Sequence, residues 1–149
     1  MLAELARGVR VINCDQSFLN DTFFVQRKWR MRGQVNSHPQ HIVNPRISIL
    51  MAVCTEGKLY CALSQINTDH KMFCLFISKL AAKLTAEDRN WRTNSLLLID
   101  GAKYQSCPES VRHMRSLGFR VCISSPYSFS STCIEYAFSI LKSVDLNKD

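Results

Sequence analysis

Along "VRVINCD", Val9, Val11 and Asn13 alternate with Arg10, Ile12 and Cys14, the two-residue period of a strand, and the sequence predicts that this strand ends at Asp15. A long polar and basic connection follows, in which "NSHPQHIVNPR" places Pro39 and Pro45 against regular structure as far as Arg46. The alternation then resumes. "RISILMAV" sets Ile47, Ile49, Met51 and Val53 on one face, "CTEG" supplies a turn containing Gly57, and "KLYCALS" is the second arm of an antiparallel hairpin. Beyond it the period lengthens: Phe73, Phe76, Ile77, Leu80 and Leu84 recur at spacings of three and four, a helix with Thr68 as its predicted N-cap. "SLLLID" is a continuous apolar run, as in a central strand covered on both faces. "CPESVRHMRSLG" is punctuated as a short helix by Pro108, Glu109 and Gly118. "FRVCIS" reads as another buried strand and "SPYSFSS" as a loop. "TCIEYAFSILKSV" reads as a last helix with Ile134, Phe138 and Leu141 facing inward. The predicted order is strand, strand, strand, helix, strand, helix, strand, helix, with no internal repeat or low-complexity segment.

Composition narrows this picture. At 149 residues and 46% hydrophobic content, one sizeable core is expected, hence a single domain over 1–149. No apolar run approaches the roughly 18 residues of a membrane span. The opening "MLAELARGVRVINC" also lacks the features of a secretory signal. The expectation is an intracellular protein with no membrane partner, nuclear in a eukaryote and otherwise cytoplasmic. Seven cysteines without a C-x-x-C pair suit reduced thiols used as small core residues. A formal net charge of +7 favours a polyanion over a small-molecule substrate, since cations that neutralise phosphates gain affinity by releasing counterions. The densest basic stretch is "QRKWRMR", where Arg27, Lys28, Arg30 and Arg32 flank Trp29, an aromatic able to stack on a base or to cover apolar surface.

The candidate chemistry lies in carboxylates at strand ends. Asp15 closes the first strand and Asp100 the fourth, and if those strands are neighbours the two acids sit side by side. Such carboxylates repel unless one is protonated or a cation lies between them. Hard oxygen ligands suit Mg²⁺ or Mn²⁺, and two ions roughly 3.5–4 Å apart can activate water and stabilise a leaving oxygen in phosphodiester cleavage. Glu135 is the candidate third acid, although Thr132 to Glu135 also spell a T-x-x-E capping box. The other chemistry-bearing residues suit plain roles. His38 and His41 form H-x-x-H in a proline-bearing loop without a cysteine pair, His113 lies within a helix, and no serine or cysteine has the partners of a nucleophile triad.

Residues 101 to 134, 34 in all, separate Asp100 from Glu135. Together with the order of elements, this spacing resembles the mariner-like transposases and their bacterial insertion-sequence relatives, DDE enzymes on the ribonuclease H-like fold. "INCDQSF" looks like the family's first-strand segment and "RKWRMRGQ" like its Trp-x-x-x-Gly stretch. "LLLIDGAKYQS" corresponds to its apolar run followed by Asp-Asn-Ala and a His. "SPYSFSSTCIEYAFSILK" is similar to its Pro-Pro-Tyr-Ser-Pro, Asn-Pro-Ile-Glu and closing Trp and Leu-Lys. The resemblance runs from about Val9 to Lys142. The chain departs from it at Gln16, Gly101, Gln105, Ser125, Phe129, Thr132, Cys133 and Phe138, while all three acids are kept.

The resemblance implies an α/β, ribonuclease H-like mixed sheet flanked by helices, and a catalytic core without the helix-turn-helix modules that precede it in family members. It implies hydrolysis at transposon ends followed by attack of the freed 3′-hydroxyl on target DNA. Asp15, Asp100 and Glu135 would then be the catalytic and metal-binding residues for two Mg²⁺ ions, with Mn²⁺ as substitute. DNA is the implied partner and a homodimer the usual assembly. Arg27, Lys28, Trp29, Arg30 and Arg32 are the candidate DNA contacts, together with Lys103 and Tyr127. Two other readings fit the same residues: a transposase-derived DNA-binding protein without catalysis, and a stand-alone ribonuclease H-like nuclease that cuts without strand transfer.

Overall fold

The computed structural model describes residues 8–19, 47–124 and 133–143. Five strands form one mixed sheet: β1 (Arg10–Leu19), β2 (Ile47–Cys54), β3 (Leu59–Ser64), β4 (Ser95–Ile99) and β5 (Val121–Ile123), in the spatial order β3-β2-β1-β4-β5. The hairpin of β2 and β3 is antiparallel, β2 is antiparallel to β1, and β4 and β5 continue the sheet parallel to β1. Helices α1 (His70–Glu87), α2 (Trp91–Asn94), α3 (Lys103–Ser106), α4 (Pro108–Ser116) and α5 (Cys133–Ser143) complete the described elements. This is the expected α/β order with two short helices added, α2 before β4 and α3 after it. At four residues each they are too brief to show a helical period in sequence.

The larger core joins one sheet face to α1 and α4. Ile12, Cys14, Leu50, Ala52, Leu97 and Ile99 from the strands meet Phe73, Phe76, Ile77, Leu80 and Leu84 of α1 and Met114 of α4. The smaller core, on the opposite face, packs Ile49 and Met51 of β2 against Ile134 and Phe138 of α5, with Val53 and Leu141 beside them. The alternation read from β2 therefore separates two cores, and the inward residues of α1 and α5 are those that the spacing predicts. Among the described residues all seven cysteines are free thiols, and no helix is long and apolar enough to cross a membrane.

Three local expectations are corrected. Asp69, not Thr68, caps α1, its side chain accepting the Met72 N–H at 2.9 Å. The Thr68 hydroxyl is instead buried without a partner among the described residues. The "FRVCIS" strand is short and only partly covered, with Ile123 exposed, because β5 is the sheet's edge and pairs with β4 alone. Finally, β1 does not stop at Asp15 but runs on to Leu19. Its pairing with β4 ends at Cys14–Ile99, whereas its pairing with β2 continues through Asp15–Met51 to Leu19–Ile47. Asp15 is thus the first β1 residue that β4 no longer flanks.

At the far end of β1, Arg10 is buried where β1 and β4 begin. Its guanidinium donates to Ser95 Oγ at 3.0 Å and pairs with Glu56 and Asp88, both at 3.2 Å.

Candidate active site

The β1–β4 register creates the site. Parallel pairing carries Cys14 beside Ile99, so the next residue of each strand, Asp15 and Asp100, emerges at the same sheet end. Both strands are buried up to that point, and the two carboxyls sit half-buried at its rim. Opposed residues of an antiparallel pair share a face, so Asp15 lies on the side of Met51, the face that α5 covers. Ile134, buried against that face, seats α5 there, and Glu135 follows it at the exposed edge.

Electrostatics tie the three acids together. Burial, then the charges of Asp100 and Glu135, raise the Asp15 carboxyl from its ordinary 3.8 to about 6, against the opposing pull of the Gln16 N–H, which donates to Asp15 Oδ1 at 2.7 Å. The Gln105 amide adds a weaker pull in the same downward direction. Asp100 serves as a local cap, its Oδ1 accepting the Ala102 N–H at 3.0 Å and setting the turn into α3. Beside them the Cys14 thiol is fully buried, and burial together with the two aspartates pushes it far up, so it remains a neutral core group.

The residue types and their charge suit a hard divalent cation. Among the described residues the ion pairs lie elsewhere, at Arg10 and Lys58, and none of them involves Asp15 or Asp100. No group of three His, Cys, Asp or Glu side chains among the described residues stands close enough to form a complete metal cage. Asp15 and Asp100 are the adjacent pair, and Glu135 acts on Asp15 less strongly than Asp100 does.

The other sequence candidates separate. Lys103 is exposed on the first residue of α3, three positions after Asp100. Arg27, Lys28, Trp29, Arg30, Arg32 and Tyr127 lie outside the described residues, as do His38, His41 and the Thr132 end of the capping box. His113 sits within α4, its Nε2 2.8 Å from Ser78 Oγ on α1, a helix-to-helix contact away from the carboxylates. Tyr104 is partly buried, its ring edge-on to Phe73 with centroids 5.7 Å apart. Gln105 is completely buried, a placement that sequence reasoning missed. The signal available was the short interval between Asp100 and Pro108, which leaves room for just one helical turn facing back toward the strands.

The family profile of the DDE superfamily endonucleases matches residues 10–148. No curated protein matches the chain in sequence. Among solved structures, the Mos1 mariner paired end complex with Mn superposes with a TM-score of 0.72 at 14% identity, covering 95% of this chain and 45% of that one. The Mos1 transposase catalytic domain with Raltegravir and Mn gives a TM-score of 0.68 at 12% identity, covering 95% of this chain and 64% of that one. The catalytic core domain of BIV integrase gives 0.57 at 16% identity, covering 89% and 66%. The chain therefore spans less than half of the paired-end complex's transposase chain, and at these identities the likeness shows the ribonuclease H-like fold alone. With the profile spanning nearly every residue from β1 through α5, the chain belongs to the DDE superfamily endonucleases.

Proposed function

We infer that the chain is the catalytic core of a metal-dependent DNA endonuclease and strand-transferase, with Asp15, Asp100 and Glu135 as its metal-binding and catalytic acids. The observation that carries this reading is the parallel β1–β4 register, which brings Asp15 and Asp100 out at one sheet end. The family profile supports the endonuclease activity. Structural neighbours determined with a transposon end, and with Mn or Mg, support DNA as the partner and a divalent ion as the cofactor.

Asp15 and Asp100 would hold the ions and Glu135 would complete their coordination; bound there, the pair would polarise an attacking water or 3′-hydroxyl and stabilise the leaving 3′-oxygen. The chain's own groups prepare this. The Gln16 N–H fixes Asp15 Oδ1, the Ala102 N–H fixes Asp100 Oδ1, and the Ile134 contact seats the helix that carries Glu135. Lys103, exposed three residues after Asp100, would meet a DNA phosphate, and the basic residues at 27–32 together with Tyr127 would extend that contact. Strand transfer needs no covalent protein intermediate, since the freed 3′-hydroxyl is itself the nucleophile. Two copies of the chain would serve the two transposon ends.

The test is nicking of supercoiled and short duplex DNA in Mg²⁺ or Mn²⁺ by the wild type and by Asp15→Asn, Asp100→Asn and Glu135→Gln. Cutting by the wild type alone is expected, followed by joining when a 3′-hydroxyl end and target DNA are supplied. Equal inertness of all four proteins with undiminished DNA binding would overturn the catalytic reading in favour of a transposase-derived binding protein. Cutting without joining would identify a stand-alone nuclease.

A further inference from the structure

The cysteines divide by their surroundings. Cys14 and Cys54 belong to the apolar core, whereas Cys74 on α1 and Cys107 between α3 and α4 are half-buried and meet at one hydroxyl. Ser110 Oγ, fully buried, lies 3.9 Å from Cys74 Sγ and 3.2 Å from Cys107 Sγ. Its one proton is donated to the Tyr104 carbonyl at 2.7 Å, which leaves its two lone pairs to accept from the two thiols. Two sulfurs bonded to a single oxygen are neighbours in space, although 33 positions separate them along the chain. The Tyr104 carbonyl is a further acceptor for the Cys107 thiol, at 3.7 Å.

Both cysteines stand on braced backbone. One turn beyond Cys74 and Ser110, Ser78 Oγ lies 2.8 Å from His113 Nε2, so α1 and α4 are held side by side. The Cys107 N–H donates to the Lys103 carbonyl at 3.0 Å and closes α3, while the Cys107 carbonyl accepts the Val111 N–H at 3.0 Å and opens α4. Burial raises the Cys74 thiol above its ordinary value, so at neutral pH it rests protonated.

We propose that Cys74 and Cys107 form a reversible redox site, reduced at rest and closed to an intramolecular disulfide by a small-molecule disulfide such as oxidised glutathione. One thiolate attacks the glutathione disulfide, giving a mixed disulfide and releasing one glutathione. The other thiolate attacks the protein sulfur of that mixed disulfide and releases the second. One sulfur–sulfur bond is formed for one broken, two electrons pass from the protein to glutathione, and the two thiol protons end on the two released glutathiones. The new bond would tie the joint of α3 and α4 to α1 and enclose Asp100 in a covalent loop. Disulfides of this transient, sensing kind are the ones found in reducing compartments. The site is independent of the metal-site reading.

The test is to equilibrate the full chain with oxidised and reduced glutathione under native conditions, alkylate it and map its peptides by mass spectrometry. A Cys74–Cys107 linked peptide is expected as the main product at these positions, while the exposed Cys61 and Cys133 carry glutathione. Dithiothreitol should reverse the link. Cys74→Ser and Cys107→Ser should each leave the remaining cysteine of the pair unlinked. The oxidised wild type should unfold at roughly 1–2 M higher urea than the reduced form, because the bond closes a long loop in the unfolded chain. Recovery of Cys74 and Cys107 as free thiols or separate glutathione adducts, once Cys61 and Cys133 are fully modified, overturns the proposal. So does a link that appears only after the protein has been unfolded in urea.

Discussion

Replacing Asp15 with asparagine should stabilise the metal-free protein at neutral pH. Folding moves this carboxyl from 3.8 to about 6, chiefly through burial and then through the charges of Asp100 and Glu135. A difference of about 2 pH units, at about 1.4 kcal/mol each, places an upper bound near 3 kcal/mol on what the ionised group costs the fold above pH 6. Its half-exposure to water lowers the realised value toward about 2 kcal/mol. The sign follows from proton binding. Between pH 4 and 6 the native state holds the proton more tightly than the unfolded chain, so this group favours folding below about pH 4, and that contribution disappears as the pH rises through 6. Asparagine at position 15 keeps the shape and never ionises. In EDTA, urea unfolding should give nearly equal midpoints for wild type and Asp15→Asn at pH 4, with the variant ahead at pH 7.5. The gap should be roughly 1 M urea for an m-value near 2 kcal/mol/M. Added Mn²⁺ should reverse the order at pH 7.5, since only the wild type keeps the paired carboxylates. A variant less stable than wild type at pH 7.5 in EDTA, or a gap independent of pH, would refute the argument that burial and the neighbouring acids disfavour the ionised Asp15.

Further expectations concern the supports of the site and the fold. Ile134→Ala, at a fully buried contact between α5 and β2, should cost about 3 kcal/mol in urea unfolding and lower Mn²⁺-dependent nicking, because the helix carrying Glu135 loses its seat. Asp69→Ala should lower the unfolding midpoint more than Thr68→Ala does, since the Asp69 carboxylate caps α1 through the Met72 N–H. Gly118→Ala should cost about 1–3 kcal/mol, because Gly118 has a φ of +93° and a Cβ there would stand 2.7 Å from Arg92 Cδ. That same substitution would press on Arg92, whose guanidinium lies 4.6 Å over the Trp91 ring and whose Nε donates to the Leu117 carbonyl.

The sequence by itself determined the elements whose side-chain period is long enough to be read. The 3.6-residue recurrence from Phe73 to Leu84 specified α1 and its buried face, and the uninterrupted apolar run at 96–99 specified a strand covered on both sides. The two-residue period of β2 placed Ile49, Met51 and Val53 together, and the structure packs that row against α5. Asp15, Asp100 and Glu135 were legible as candidates because a carboxylate directly after an apolar strand is costly without a partner, and the spacing from Asp100 to Glu135 drew the family resemblance. The tertiary structure decided what no local pattern encodes. Side-chain periodicity does not say which strands pair, so only the sheet shows that β4 flanks β1 as far as Cys14 and leaves Asp15 uncovered while β1 runs on beside β2. Nor does an isolated polar residue announce burial. Gln105 and Tyr104 sit in a single helical turn too short for a period, and they enter the interior because Asp100 starts that turn and α1 and α4 close over it. Charge shows the same division. The count of basic residues is fixed by sequence, whereas the raised pKa of Asp15 comes from burial and from the charges of two carboxylates that are 85 and 120 positions away along the chain and act on it only in the fold.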